Sequence, residues 1–270
     1  MDIKYLQQIT ATLNLSLKQV NSVVALQEEG GTIPFIARYR KEATGNLDEV
    51  QIGAVLDQVK YYSELAKRKE TILKTIEDAG KLTPELKKRI DDCIDATVLE
   101  DIYLPYKPKR KTKATIAIEK GLEPLAKMLF DQQSVNPEEE AARFINENVK
   151  DTADALQGAR DIMAEWMAEN EQARNTIRKL FQEEAKLSSR ALLSKKEEED
   201  AQKYRDYFEF SERLDQCPSH RLLAIRRGEK EGFLIMDIGV DKETANEEMK
   251  RLFVKSSGPV AQQVAIAAVE

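Results

Sequence analysis

The side chains in this sequence that are best placed to do chemistry are cations. "LPYKPKRKTK", residues 104–113, sets Lys107, Lys109, Arg110, Lys111 and Lys113 in one run, with no acid between Tyr103 and Ala114. Ammonium and guanidinium groups gathered in this way can hold phosphates through charge-assisted hydrogen bonds. Pro105 and Pro108 keep the backbone extended, so the cations face water or a polyanion. The other reading is a solvated connection between helices, since loops are commonly polar without function. A second basic stretch, "PFIARYRKE" at 34–42, puts Arg38, Arg40 and Lys41 beside Phe35 and Tyr39. That mixture can grip a backbone by charge and stack on a base. Its alternative is structural: Phe35, Ile36 and Tyr39 lie on the core face, while the cations snorkel outward or pair with Glu42 and Asp48.

Other chemistry finds little equipment. His220 is the single histidine, so a metal cluster or a Ser-His-Asp arrangement would have to use it. It follows Pro218-Ser219 at a predicted helix start, where a structural role suffices. Cys93 and Cys217 are the only cysteines and lie far apart, which argues against a disulfide framework and against zinc spacing. No GxxxxGK[ST] is present, and no GxGxxG follows a strand. Asp and Glu total 48, so any chosen carboxylate pair is uninformative. The expectation is a chain with no metal, no cofactor and no enzymatic activity.

The elements that must carry these cations are helices. The chain has 270 residues, 33% of them charged and only 6% aromatic, a composition suited to long helices with much wet surface. A net charge of −6 argues against nucleic-acid binding by the whole surface, so any basic site must be local. No segment approaches the roughly 18 apolar residues of a membrane span, and no signal peptide opens the chain, so a cytoplasmic location is expected.

Ile3, Leu6, Ile9 and Leu13 recur at helical spacing, and Ser16 with Gln19 forms a capping box for a second helix that stops at Gly30-Gly31. Pro34 opens a third helix, "IPFIARYRKEA". Asp48 and Gln51 cap a long helix through Ile76, closed by Gly80. Shorter helices follow from Pro84, Thr97, Thr112, Pro124 and Pro137. From 151 to 210 the spacing predicts stacked helices, with "KKEEED" at 195–200 as a solvated helix face. "FLIMDIGV" at 233–240 is the one predicted strand. The fold expected is mainly α, multi-helical and elongated, with at most one short strand or hairpin. Its predicted divisions are a helix-turn-helix-like region at 1–47, a long-helix scaffold at 48–215, and a helical segment with a short strand at 216–270.

Three stretches, "IPFIARYRKEATGNLDE", "LEDIYLPYKPKRKTKATIAIEKGLEPLA" and "SHRLLAIRRGEKEGFL", closely resemble in order the amino-terminal region of the Tex family of bacterial transcription accessory proteins. The resemblance runs from about Ile33 to Leu234. It implies a nucleic-acid-binding protein of the transcription machinery, related to a eukaryotic elongation factor that travels with RNA polymerase. It also implies a helix-turn-helix-like opening wrapped by long helices, followed in full-length members by a ribonuclease-H-like domain, helix-hairpin-helix motifs and an OB-fold RNA-binding domain. This chain would then be truncated before the ribonuclease-H-like domain.

Within that frame Gly30-Gly31 supplies the turn, and the third helix brings Arg38, Arg40 and Lys41 toward a groove. A helix that also carries core residues has few faces free, so sequence-specific reading is not expected. Arg226 and Arg227 lie within helical reach of Glu229 and Glu231, which suggests internal ion pairing. The partners expected are RNA or DNA, held non-specifically by phosphates, together with RNA polymerase, ribosome-associated proteins and the remaining domains of a longer chain. The alternative function is a helical protein–protein interaction platform with no nucleic-acid contact of its own.

Overall fold

The structure, a computed structural model, describes residues 2–108 and 111–269. The fold is mainly α, and it forms two compact units, one ending at Pro108 and one following it.

The first unit contains α1 (Ile3–Leu13), α2 (Leu17–Glu28), α3 (Ile33–Tyr39), α4 (Lys41–Thr44), α5 (Glu49–Asp78), α6 (Pro84–Asp92) and α7 (Ala96–Tyr103). Each start has a local cause. Asp2 caps α1, and reciprocal capping boxes of Ser16 with Gln19 and of Asp48 with Gln51 open α2 and α5. Between α2 and α3, Gly30 adopts φ 89°, a left-handed conformation. A β-carbon on Gly31 would lie 2.8 Å from the Leu26 carbonyl oxygen and 3.0 Å from Ile36 Cγ1, so the turn has room only for glycine.

Helix α5 is the spine of this unit. Its 30 residues reach about 45 Å, and Ile52, Val55, Tyr62, Leu65, Ile72 and Ile76 form one buried stripe. Helices α1, α2, α3, α6 and α7 pack on it. Lys69 lies in the same stripe; its ammonium donates to the Asp91 carbonyl at 2.8 Å and sits 5.5 Å from the Tyr5 ring centre. Burial lowers the pKa of Lys69, because desolvation disfavours the charged form.

The third predicted helix does not run through as one piece. It breaks at Arg40 (φ −128°, ψ 26°), and α4 folds back onto α2. Thr44 is thereby buried, and its backbone N–H and hydroxyl donate to the Arg40 carbonyl at 3.1 and 3.3 Å.

The second unit contains α8 (Lys113–Glu119), α9 (Glu123–Phe130), α10 (Pro137–Ala142), α11 (Thr152–Ala168), α12 (Glu171–Glu184), β1 (Lys186–Ala191), β2 (Glu209–Arg213), α13 (Ser219–Lys230), β3 (Leu234–Gly239), α14 (Lys242–Phe253) and α15 (Pro259–Ala267). Helix α11 is central, packed by α8, α9, α10 and α15 around Leu122, Leu125, Leu129, Ile162, Met163 and Val264. Gln132 ties the ends of α9 and α14 together, donating to the Phe253 carbonyl and accepting from the N–H groups of Lys255 and Ser256, each at 2.8 Å.

The sheet corrects the expectation of at most one strand or hairpin. The predicted strand at 233–240 forms as β3, but it pairs antiparallel with β1, which pairs antiparallel with β2. Both partners come from the chain beyond Glu184, where the pattern predicts helix or leaves the residues unassigned. In β1, Leu187, Ser189 and Ala191 face inward at strand period, yet two of the three are not strongly apolar, so hydropathy hides the alternation. Ser189 tolerates burial because its hydroxyl donates to the Tyr207 carbonyl at 2.8 Å. "KKEEED" is solvated as expected, except that Lys195 is half-buried, but it bridges two 3₁₀ segments, Leu193–Lys195 and Glu199–Tyr207, rather than riding an α-helix.

Gly158 on α11 marks a close approach of its neighbours. A β-carbon there would overlap Leu122 Cδ1, which is fully buried, and would stand 3.2 Å from Ala117 Cβ. Alanine is the better helix former by about 1 kcal/mol, but overpacking costs about 1–3 kcal/mol. Gly158→Ala is therefore expected to destabilise the protein, read as a lowered midpoint in urea unfolding; a raised midpoint would contradict this packing.

Candidate nucleic-acid interface

Helix α3 is held by its inner face. Ile36 and Ala37 are buried, and a β-carbon on Gly53 of α5 would just touch Ile33 Cδ1 at 3.9 Å. Helical periodicity then turns Phe35, Arg38 and Tyr39 the other way, with Phe35 41% and Tyr39 67% exposed. The reading that places Phe35 and Tyr39 with Ile36 on the core face therefore holds for Ile36 alone. The two rings lie 5.4 Å apart at 43°, and the Arg40 guanidinium sits 5.3 Å from the centre of Phe35. Arg38 approaches Glu49 at 3.7 Å, an exposed pair worth little in water. The expected pairing of these cations with Glu42 or Asp48 is not made; the Asp48 carboxylate accepts the Gln51 N–H at 2.8 Å. Arg40 and Lys41 are exposed, and among the described residues neither has a carboxylate in ion-pair range.

Lys107 is the penultimate residue of the first unit, just after a 3₁₀ turn at Leu104–Tyr106. The carboxylate of Glu100 feels its charge but is already taken. Arg68 donates to both Glu100 oxygens, at 2.6 and 2.9 Å, and stacks 5.3 Å from the Tyr103 ring centre. This fork holds the Glu100 carboxyl below its ordinary range, chiefly through the hydrogen bonds from Arg68, with a smaller contribution from Lys107. Lys107 is left exposed with no ion pair among the described residues.

In the second unit, Lys111 approaches Glu119 at 3.2 Å with both side chains largely in water. Thr112 caps α8 and donates its hydroxyl to Glu165 at 2.8 Å, and Lys113, the next residue, is exposed without an ion pair among the described residues. Lys109 and Arg110 lie outside the described residues.

The arginine-rich segment of α13 is partly self-paired. Arg226 meets Glu229 at 3.1 Å, but Glu231 goes to Lys203 at 2.8 Å, and Arg221 pairs with Glu212 on β2. His220 sits exposed in the first turn of α13. Among the described residues no three His, Cys, Asp or Glu side chains cluster as metal ligands would, and no helix is long and apolar enough to cross a membrane.

One cation, Arg40, thus lies over an outward aromatic pair on a helical body, and exposed Lys41 follows it in sequence. Two family models match this chain: the Tex-like protein N-terminal domain over residues 3–77 and the Tex central region-like model over residues 132–268. The latter alone spans half of the chain, and the chain belongs to the Tex family. It is 43% identical over 226 residues to the transcriptional accessory protein Tex of Neisseria gonorrhoeae, covering 84% of this chain and 30% of that protein. It is 44% identical over 245 residues to protein YhgF of Escherichia coli, covering 90% of this chain and 31% of that protein. The human S1 RNA-binding domain-containing protein 1 is 29% identical over 259 residues, covering 92% of this chain and 25% of that protein. The chain thus spans a quarter to a third of these curated relatives. The basic run at 107–113 falls between the two matched models.

Sequence periodicity already contained the outward set of α3, since residues 35 and 39 fall on one side of a helix and 33, 36 and 37 on the other. The Arg68–Glu100–Tyr103 group had no such signal, because its members are 32 and 3 residues apart on two different helices.

The Glu100 pairing carries a pH signature. Its folded pKa lies below the unfolded value of about 4.3, so its stabilisation is complete above that pH and is lost as pH falls through the folded value. Thermal unfolding followed by circular dichroism should show a midpoint that declines on acidification through that window, and Glu100→Gln should flatten part of the decline. An identical pH profile in the variant would contradict the pairing.

Proposed function

We propose that this chain is the part of a Tex-like transcription accessory protein that touches RNA or DNA without sequence preference, through phosphates. The cations assigned are Lys107, Lys109, Arg110, Lys111 and Lys113 in the basic run, and Arg38, Arg40 and Lys41 on α3 and α4. The supporting observation is that Lys107, Lys113, Arg40 and Lys41 stand in water without carboxylate partners among the described residues, in a chain of net charge −6. Arg38 and Lys111 have only exposed pairs, at 3.7 and 3.2 Å, which a phosphate can replace at little cost.

The relative named for an S1 RNA-binding domain supports the choice of RNA as one substrate class. Helix α2, the glycine turn and α3 serve in this reading as a helix-turn-helix-like element. Helix α3 has only seven residues, about 10 Å, and spends one face on the core, which leaves too little for base-specific reading of a groove. The setting is the cytoplasm, with RNA polymerase, ribosome-associated proteins or further domains of the same protein as additional contacts. No catalytic step is assigned.

A second reading, a helical protein–protein platform, draws on one feature of the second unit. An apolar groove of about 440 Å³ is lined by Met167, Ala173, Ile177, Met249 and Ala267. Under that reading the chain would capture a protein partner and ignore nucleic acid.

Anisotropy with labelled RNA across a salt series separates the two. If the five cations of the basic run each contact a phosphate, they contribute about −3.5 to the slope of log affinity against log salt on single strands. The triple change of Lys107, Lys111 and Lys113 to alanine should make that slope shallower by about 2. Binding that keeps its slope after the triple change would sink the phosphate assignment.

A further inference from the structure

We infer that the α3–α4 elbow is a base-stacking site for single-stranded nucleic acid, with Tyr39 as the platform; this rests on the phosphate-binding reading above and adds to it the kind of strand that is bound. Neither the Phe35 ring nor the Tyr39 ring belongs to the buried core of the first unit. Ile36 and Ala37 already anchor α3, while Tyr39 is 67% exposed and, among the described residues, pairs with the ring of Phe35 alone. The 5.4 Å separation and 43° tilt exclude a base between the two rings, which would need parallel rings about 7 Å apart at twice the usual stacking distance. Phe35 therefore backs Tyr39, and a base stacks on the ring surface of Tyr39 that Phe35 leaves open.

Charge selects this occupant over an apolar one. Arg40 lies against Phe35, Lys41 opens α4, and Arg38 is only loosely paired with Glu49. The acids nearby are Glu49, in the Arg38 pair, Asp48, which caps α5, and Glu42, which is exposed on α4. One arginine against the aromatic pair, with exposed Arg38 and Lys41 close to it in sequence, matches a base with its flanking phosphates, as in other single-strand binding surfaces. A duplex keeps its bases stacked on one another and offers this site phosphates alone. The elbow should therefore prefer single strands, RNA and DNA alike.

The test uses the 270-residue chain, a fluorescein-labelled uridine 12-mer, the thymidine 12-mer and a 12-base-pair duplex. Tyr39→Ala should weaken binding of both single strands about 5- to 160-fold, the usual cost of losing one stacked base, and leave duplex binding and all salt slopes unchanged. Tyr39→Trp should restore single-strand affinity, and the introduced indole should lose fluorescence when the strand binds. Equal effects on single strands and duplex, or none on either, would overturn the stacking site while leaving the phosphate reading intact. Failure of the unmodified chain to bind any of the three probes would instead overturn the phosphate reading, and this inference with it. Because Tyr39 is exposed, unfolding midpoints of the variants should match that of the parent chain.

Discussion

A helix that buries one face has no choice about where the opposite face points, and that constraint governs the first unit. The apolar stripe of α5 gives α1, α2 and α3 a common surface to pack on, and each fully buried side chain such as Ile36 contributes about 1.5–3 kcal/mol. Once Ile36 and Ala37 are committed inward, the 100° step per residue carries Phe35, Arg38 and Tyr39 into water. The glycine turn enforces the same geometry, because a side chain at Gly31 would collide with the Leu26 carbonyl and Ile36 and push α3 off α2. The outward aromatic pair is a consequence of inward packing.

The electrostatics divide into structural pairs and loose ones, and the division decides which cations are free to act. Arg68 and Glu100 are joined by a two-pronged hydrogen bond and braced by Tyr103, so both are committed to holding α7 on α5. Arg38–Glu49 and Lys111–Glu119 are single, solvated contacts at 3.7 and 3.2 Å, worth at most about 1 kcal/mol each. A phosphate competes easily with the loose pairs and poorly with the fork. Because Glu100 is occupied by Arg68, Lys107 has no ion pair among the described residues.

The second unit follows the same logic with a different outcome. Helix α11 is enclosed by neighbours, and Gly158 lets α8 and the loop carrying Leu122 approach closely. The sheet then adds a small second core of Leu187, Ala201, Tyr204, Ile225, Phe233 and Leu234 beneath α13. The arginines of α13 are in part consumed here, by Glu229 and Glu212, as internal pairing at the sequence level anticipates for Arg226.

Much of this was legible in the chain itself. Capping boxes at Ser16 and Asp48, the turn at Gly30-Gly31, the prolines at helix starts and the long stripe of α5 are local signals, and local signals need only neighbours in sequence. The family was legible too, because three long stretches in order carry far more information than any single motif. What only tertiary structure decided was non-local. Strand β1 exists because β2 and β3 lie on either side of it, and its serine-rich sequence states no strand preference by itself. The break at Arg40 depends on burying Thr44 against α2, and the state of Lys107 depends on an arginine 39 positions earlier in the chain. Periodicity fixes which residues share a face, while contact between distant segments fixes which of those faces remains in water.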